Sequence, residues 1–242
     1  MDLYVERQCI EQMKKGNTKQ FLLLYEACFS DLYKYVSRRV ADHAEAERIV
    51  KLTFLDAIGQ VQSTPNDVGY LTWLYSLAKP RAWKYLDETG FPDKQGLIDA
   101  KKDAKEYLAK ESVADKARKM FAKLSLEEKE ILKLKFFEEV TDGDIMTIIG
   151  ADEGAIGAKI YKVLKRAHFL LFGESDARQG VYFGELSSFL GRFKSAEKIE
   201  VSESFKLSLR AELSQKIDRK GYAVEAEKIE VNNVAAGNNN GP

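Results

Sequence analysis

The sequence predicts an all-α protein: two small helical domains, a charged linker between them, and further helices at the C-terminal end. Apolar residues recur at helical spacing in one segment after another. Alternating β-branched runs are scarce, and only four prolines interrupt 242 residues. A basic segment follows a tight turn at Gly150, with a capping residue before it and cations along it.

Asp2 to Lys14 reads as a first helix, closed by Gly16-Asn17. Thr18 is the N-cap candidate of a longer helix through Val40, whose apolar face is Phe21, Leu22, Leu24, Tyr25, Cys28, Phe29, Leu32, Tyr33 and Val36. Arg38 and Arg39 at its end read as cations complementing the helix dipole. Asp42 precedes a third helix, Ala44 to Val61, with Ala46, Ile49, Val50, Phe54, Leu55 and Ile58 at helical spacing. After a Ser-Thr-Pro-Asn loop, a fourth helix from about Asp67 to Leu86 gathers Tyr70, Trp73, Tyr75, Trp83 and Tyr85. Lys79, Arg81 and Lys84 lie among these aromatics. The combination suits either a filled core or bases of single-stranded DNA stacked on rings beside phosphate-holding cations.

Residues 87–112 are charged, contain Gly90, Pro92 and Gly96, and read as the linker. Val113 to Lys123 is a short helix leading into the stretch Leu126 to Phe172. There, Leu126 to Glu138 is amphipathic. Asp142 to Ile149 is a short helix capped by Thr141 and stopped by Gly150, and a third helix starts near Asp152. Ile156, Ile160, Val163, Leu164 and Phe169 give this last helix an apolar face. Lys159, Lys162, Lys165 and Arg166 give it a basic one, without an acidic residue from Ala155 to Phe172. A basic second helix after a tight turn suits the major groove; the same pattern also describes a helical hairpin with a solvated basic face.

Gly173 to Gly180 is a polar break. Two amphipathic helices follow: Val181 to Phe193, with Phe183, Leu186, Phe189 and Leu190, and Ser202 to Lys216, with Phe205, Leu207, Leu209 and Leu213. Packing against the preceding domains is the expected fate of those faces, ahead of binding a partner. From Gly221 the chain, ending NNVAAGNNNGP, reads as disordered.

Thirty-eight Lys and Arg balance thirty-eight Asp and Glu, so any nucleic-acid contact must come from a local patch. Cys9, Cys28, His43 and His168 have no metal-ligand spacing, and neither a metal nor a cofactor is expected. No phosphate loop, nucleophile motif or catalytic cluster appears, so the chain reads as a non-enzyme. Glu127-Glu128 and Glu138-Glu139 read as solvated surface. Met1 to Glu11 lacks an apolar secretory segment, and no apolar run approaches the roughly 20 residues of a bilayer span, which predicts a cytoplasmic protein.

The run Asp144-Ile145, Ile149-Gly150, Glu153-Gly154-Ala155-Ile156, Lys159-Ile160 and Lys162 resembles the promoter-reading domain of extracytoplasmic-function sigma factors of bacterial RNA polymerase. Leu24-Tyr25, Tyr33, Val36, Arg38-Arg39-Val40, Ala46-Glu47, Val50, Thr53-Phe54-Leu55, Ala57, Trp73-Leu74-Tyr75, Ala78, Arg81-Ala82 and Tyr85-Leu86 resemble that family's clamp-binding and promoter-opening domain. The resemblance covers most of residues 20–172. It implies a region 2-like domain over 1–86, the linker 87–112 and a region 4-like helix-turn-helix domain over 113–173; beyond it the chain reads as a C-terminal helical extension over 174–220 and a disordered tail over 221–242.

By the same resemblance, Glu47, Arg48, Val50, Lys51, Phe54 and Leu55 would contact polymerase, and Lys79, Arg81, Trp83 and Lys84 the opened strand. Lys159, Lys162, Lys165 and Arg166 would hold duplex DNA. The implied partners are core RNA polymerase, promoter DNA and an anti-sigma or other regulatory protein. Arg48, Lys51 and Leu52 replace acidic and amide groups of the family's clamp helix, reversing its charge. Pro80 enters a helix interior, and Ala155, Gly157 and Ala158 replace longer base-reading side chains. A rival reading follows from these departures: a degenerate homologue serving as a protein-interaction module without promoter recognition.

Overall fold

A computed structural model describes residues 2–17, 19–89, 112–173 and 179–218, and all regular structure among them is helical. The linker expected over 87–112 falls mostly outside the described residues, as do Thr18 and the tail from Gly221.

Helix α1 spans Leu3–Lys14. Asp2 caps it by accepting from the Tyr4 amide, and Gly16 closes it at φ 98°, a left-handed conformation that costs glycine no Cβ clash. Helix α2, Gln20–Ser37, begins without a side-chain cap. Helix α3, His43–Gly59, is capped by Asp42 through the Glu45 amide at 2.8 Å, and a 3₁₀ turn, Val61–Ser63, follows it. Helix α4, Tyr70–Thr89, runs through Pro80 and three residues past its expected end. Helices α2, α3 and α4 pack on one another, and α1 lies along α2. Their centre is aromatic: Phe54 packs against Phe21, Tyr25 and Phe29, and Tyr35 stacks on Tyr75 at 4.3 Å.

Helix α5 spans Val113–Ala122, α6 Leu126–Phe136, α7 Asp142–Ile149 and α8 Glu153–Phe172. Capping boxes open three of them, at Ser112 with Asp115, Ser125 with Glu128, and Thr141 with Asp144. Helix α9, Gln179–Ala196, packs on α8, α5 and α6 through Leu186, Phe189, Leu190 and Phe193. Phe183, expected on that face, is half-exposed and stacks on Phe136 instead.

The last described helix, α10, covers residues 203–218. It buries Leu209, Leu213 and Ile217, one stripe at four-residue spacing that begins with the half-buried Phe205. Leu207, expected on that stripe, is 63% exposed, because it lies two residues off the line. A single hydrophobic cluster runs from α1 to α10. Helix α4 packs on α7, joining the two helical groups directly. No described helix is long and apolar enough to cross a membrane.

Candidate nucleic-acid interface

The helix-turn-helix is α7, its turn and α8. Thr141 Oγ1 accepts from the Asp144 amide at 3.1 Å, and Asp144 accepts in return from the Thr141 amide and hydroxyl. Gly150, at φ 76°, ends α7 and lets the Gly150 and Ala151 amides donate to the Met146 carbonyl. The chain then turns into α8. Ile156, Ile160, Val163, Leu164 and Ala167 anchor α8 in the core, which leaves Ala155, Gly157, Ala158, Lys162, Lys165 and Arg166 exposed.

The four cations predicted for duplex DNA lie on this helix but not in one state. Lys162 and Lys165 are exposed. Lys159 is paired with Glu127 at 2.7 Å, and Arg166 with Glu128 at 3.0 Å and with the Lys123 carbonyl at 3.1 Å. The acids come from the first turn of α6. Glu127 and Glu128, read from sequence as solvated surface, thus partly neutralise the basic helix.

Of the four residues predicted for the opened strand, Lys79 and Trp83 are brought together, while Arg81 and Lys84 pair elsewhere. Lys79 is half-buried, donates to the Ile149 carbonyl at 2.9 Å and lies over the Trp83 ring at 4.8 Å. It thereby places a cation at the C-terminal end of α7, where carbonyls lack helix partners. Burial lowers its pKa from the ordinary lysine value. Arg81 turns toward α3 and pairs with Asp56. Lys84 is exposed beside Glu88. Among the described residues, the buried Trp83 Nε1 has no hydrogen-bond acceptor.

The six residues predicted to meet polymerase divide between surface and core. Val50 and Phe54 are fully buried, because they occupy the inward stripe of α3; they support the surface and are not part of it. Arg48 is exposed and bidentate to Glu45. Glu47 and Leu55 are part-buried. Lys51 pairs with Glu212 of α10 at 2.6 Å.

A charged cluster between the two helical groups escaped sequence reasoning. Arg39 Nε donates to Glu130 Oε2 at 2.8 Å, Nη2 to Glu130 Oε1 at 3.0 Å, and Nη1 to Glu138 at 2.9 Å. Tyr35 donates its hydroxyl to Glu130 at 2.8 Å, and Lys133 donates to the Arg38 carbonyl at 2.8 Å. Arg38 bonds Glu197 at 2.9 Å. The Arg39, Glu130 and Glu138 side chains are at most 2% exposed. Glu138 is therefore not the solvated residue expected. Arg39 does bond a helix-end carbonyl, that of Tyr35 at 2.7 Å, but most of its donors cross between helices.

Burial alone would raise the Glu130 carboxyl; the charge and hydrogen bonds of Arg39, the Tyr35 hydroxyl and Lys133 outweigh it and hold the group below its ordinary value. The available signal was positional: Glu130 lies four residues before Leu134, on the line of the buried stripe of α6.

Among the described residues, no group of His, Cys, Asp and Glu has the geometry to hold a metal. The described residues present an exposed helix over a braced turn, and an α2–α3 face covered by α10.

No family model matches the chain. It is similar to the ECF RNA polymerase sigma factor BldN of Streptomyces coelicolor, with 23% identity over 182 residues, 71% of this chain and 67% of the relative. Its fold is similar to that of CnrH, solved in complex with the cytosolic domain of CnrY, with a TM-score of 0.52 and 16% identity over 71% of this chain and 99% of that one. A looser likeness, at TM-score 0.45 and 17% identity over 66% of this chain and 99% of that one, is to the sigma factor RpoE in complex with the anti-sigma factor NepR from Bartonella quintana. The chain is thus similar in sequence to an extracytoplasmic-function type sigma factor and shares a helical fold with CnrH.

Proposed function

We propose that the chain is a sigma-factor-like transcription initiation protein that binds core RNA polymerase and directs it to promoter DNA, acting in the cytoplasm and catalysing nothing itself. The observation that carries this reading is the sequence match over 182 residues, longer than either helical group alone, to an RNA polymerase sigma factor. In this reading residues 1–86 and 113–173 are the two working domains, tethered by 87–112. The outer face of α3, with Glu47, Arg48, Lys51 and Leu55, meets the polymerase while Val50 and Phe54 hold that face in shape. Helix α8 enters the major groove with Lys162 and Lys165 on phosphates, and Lys159 and Arg166 join after exchanging Glu127 and Glu128 for phosphate oxygens. Lys84 and the Lys79–Trp83 pair serve the opened strand once α4 and α7 separate.

Short side chains at Ala155, Gly157 and Ala158 support backbone-dominated binding with modest base discrimination. The test is co-elution with core RNA polymerase of the host, followed by promoter-dependent transcription from the complex. Binding with initiation is the expected result. A folded protein that neither co-elutes nor initiates, with α10 docked or released, would move the assignment to a protein-interaction module.

A further inference from the structure

The chain carries its own cover for the α2–α3 face. Phe205 of α10 lies 5.9 Å from the ring of Phe29 and 6.3 Å from that of Tyr33, and Phe29 in turn stacks on Phe54. Leu209, Leu213 and Ile217 continue this stripe into the core. The Tyr25 hydroxyl donates to the Lys206 carbonyl at 2.6 Å, and Glu26 pairs with both Lys206 and Arg210, at 2.9 and 2.8 Å. Glu212 closes on Lys51 of α3 at 2.6 Å.

Lys51 is one of the positions where this chain departs from the clamp pattern, and its charge is complemented from within by Glu212. The rim is half-open to solvent, so its ion pairs add little that water and salt do not erode. What holds α10 is chiefly one apolar stripe, over a surface whose exposure would leave a cluster of aromatic rings needing another partner.

We propose that α10 is a displaceable in-cis inhibitor of polymerase binding: it occupies the α2–α3 face, and the chain engages core RNA polymerase only after α10 lifts away. The proposal rests on the sigma-factor reading above. Polymerase and α10 compete for one surface, so apparent affinity is the intrinsic affinity multiplied by the fraction of molecules with α10 released.

The experiment measures binding of core RNA polymerase to the full chain and to a full-length Phe205→Ala/Glu212→Lys variant, whose substitutions lie on α10 alone. Circular dichroism and thermal melting verify that the remaining helices persist. A closed state favoured by an order of magnitude predicts roughly tenfold tighter binding by the variant. Equal affinities would overturn the inhibitor while leaving the sigma reading intact. Absence of binding by both, with the fold retained, would overturn that reading and the inhibitor with it.

Hydrogen exchange on the unmodified full chain gives a second readout that does not depend on the variant folding. Amides of residues 203–218 should lose protection when polymerase is bound. Continued protection in the complex would overturn the proposal.

Discussion

Arg39 is held by two carboxylates, a ring face and a helix carbonyl in a buried site, so its removal is not a simple loss of one ion pair. Its guanidinium carbon sits 3.5 Å from the Tyr35 ring centroid, and Glu130 receives two of its donors. Arg39→Met should destabilise the protein by about 3–5 kcal/mol, because Glu130 and Glu138 stay buried with their countercharge gone. Urea denaturation checks this, and a cost below about 1 kcal/mol, the range of exposed pairs, would contradict the buried geometry.

Glu130 also sets a pH limb. Its folded pKa is depressed below the ordinary 4.5, so its stabilising contribution is present above that value and is lost as pH falls through it toward the lower folded value. Glu130→Gln should therefore flatten the acid limb of the urea midpoint against pH while lowering the neutral plateau. An unchanged limb would remove Glu130 as its source. On the alkaline side, burial first and then the charges of Glu6 and Asp31 push the Cys28 thiol up to about 12, which costs stability as pH rises past the ordinary 9.0. None of this was legible at Arg39. The dipole argument places a cation at the helix end, where Arg39 bonds the Tyr35 carbonyl, whereas Glu130 lies 91 residues away in sequence and no local pattern connects them.

Elements whose ends are set by local chemistry were read closely from the sequence. Thr141, the short helix Asp142–Ile149 and the stop at Gly150 all fall where cap and turn rules put them, because an N-cap oxygen and a left-handed glycine act within a few residues. Faces of isolated amphipathic helices were read less well: Leu207 and Phe183 were placed inward and Ile217 was missed, since several stripes are available and the neighbour selects one. Within α8, Gly157 is exposed and a Cβ there would meet nothing within 4 Å. Gly157→Ala should raise stability by about 0.5–1 kcal/mol, the ordinary helix-interior difference. If α8 lies against DNA at that position, the same methyl should weaken binding to a duplex. Thermal melting and fluorescence anisotropy on one variant separate the two effects; a gain in stability with unchanged affinity would turn that side of α8 away from the groove.

At the scale of the whole molecule, equal numbers of acidic and basic residues leave no net field to draw in nucleic acid, so affinity must be generated by the few cations that face outward together. The sequence located the cations but not the acids opposing them, because the α6–α8 packing that sets Glu127 beside Lys159 and Glu128 beside Arg166 is a tertiary result. Two cations are thus immediately available and two are held back. Removing the free pair, Lys162→Ala/Lys165→Ala, should reduce the salt slope of duplex binding by roughly 2, at about 0.9 per phosphate contact. Removing the opposing charges should act in the other direction. Glu127→Gln/Glu128→Gln retains an amide oxygen at residue 128 to accept the Ser125 amide of the capping box, now held by Glu128 at 2.8 Å, so α6 should stay formed. Lys159 and Arg166 then give up no ion pair to reach phosphates, and binding should tighten with a steeper salt dependence. Anisotropy titrations from low to moderate salt distinguish the outcomes. Tighter binding places all four cations on the duplex, whereas unchanged affinity in the Gln variant, beside a weakened Lys162→Ala/Lys165→Ala variant, confines the interface to the outer pair.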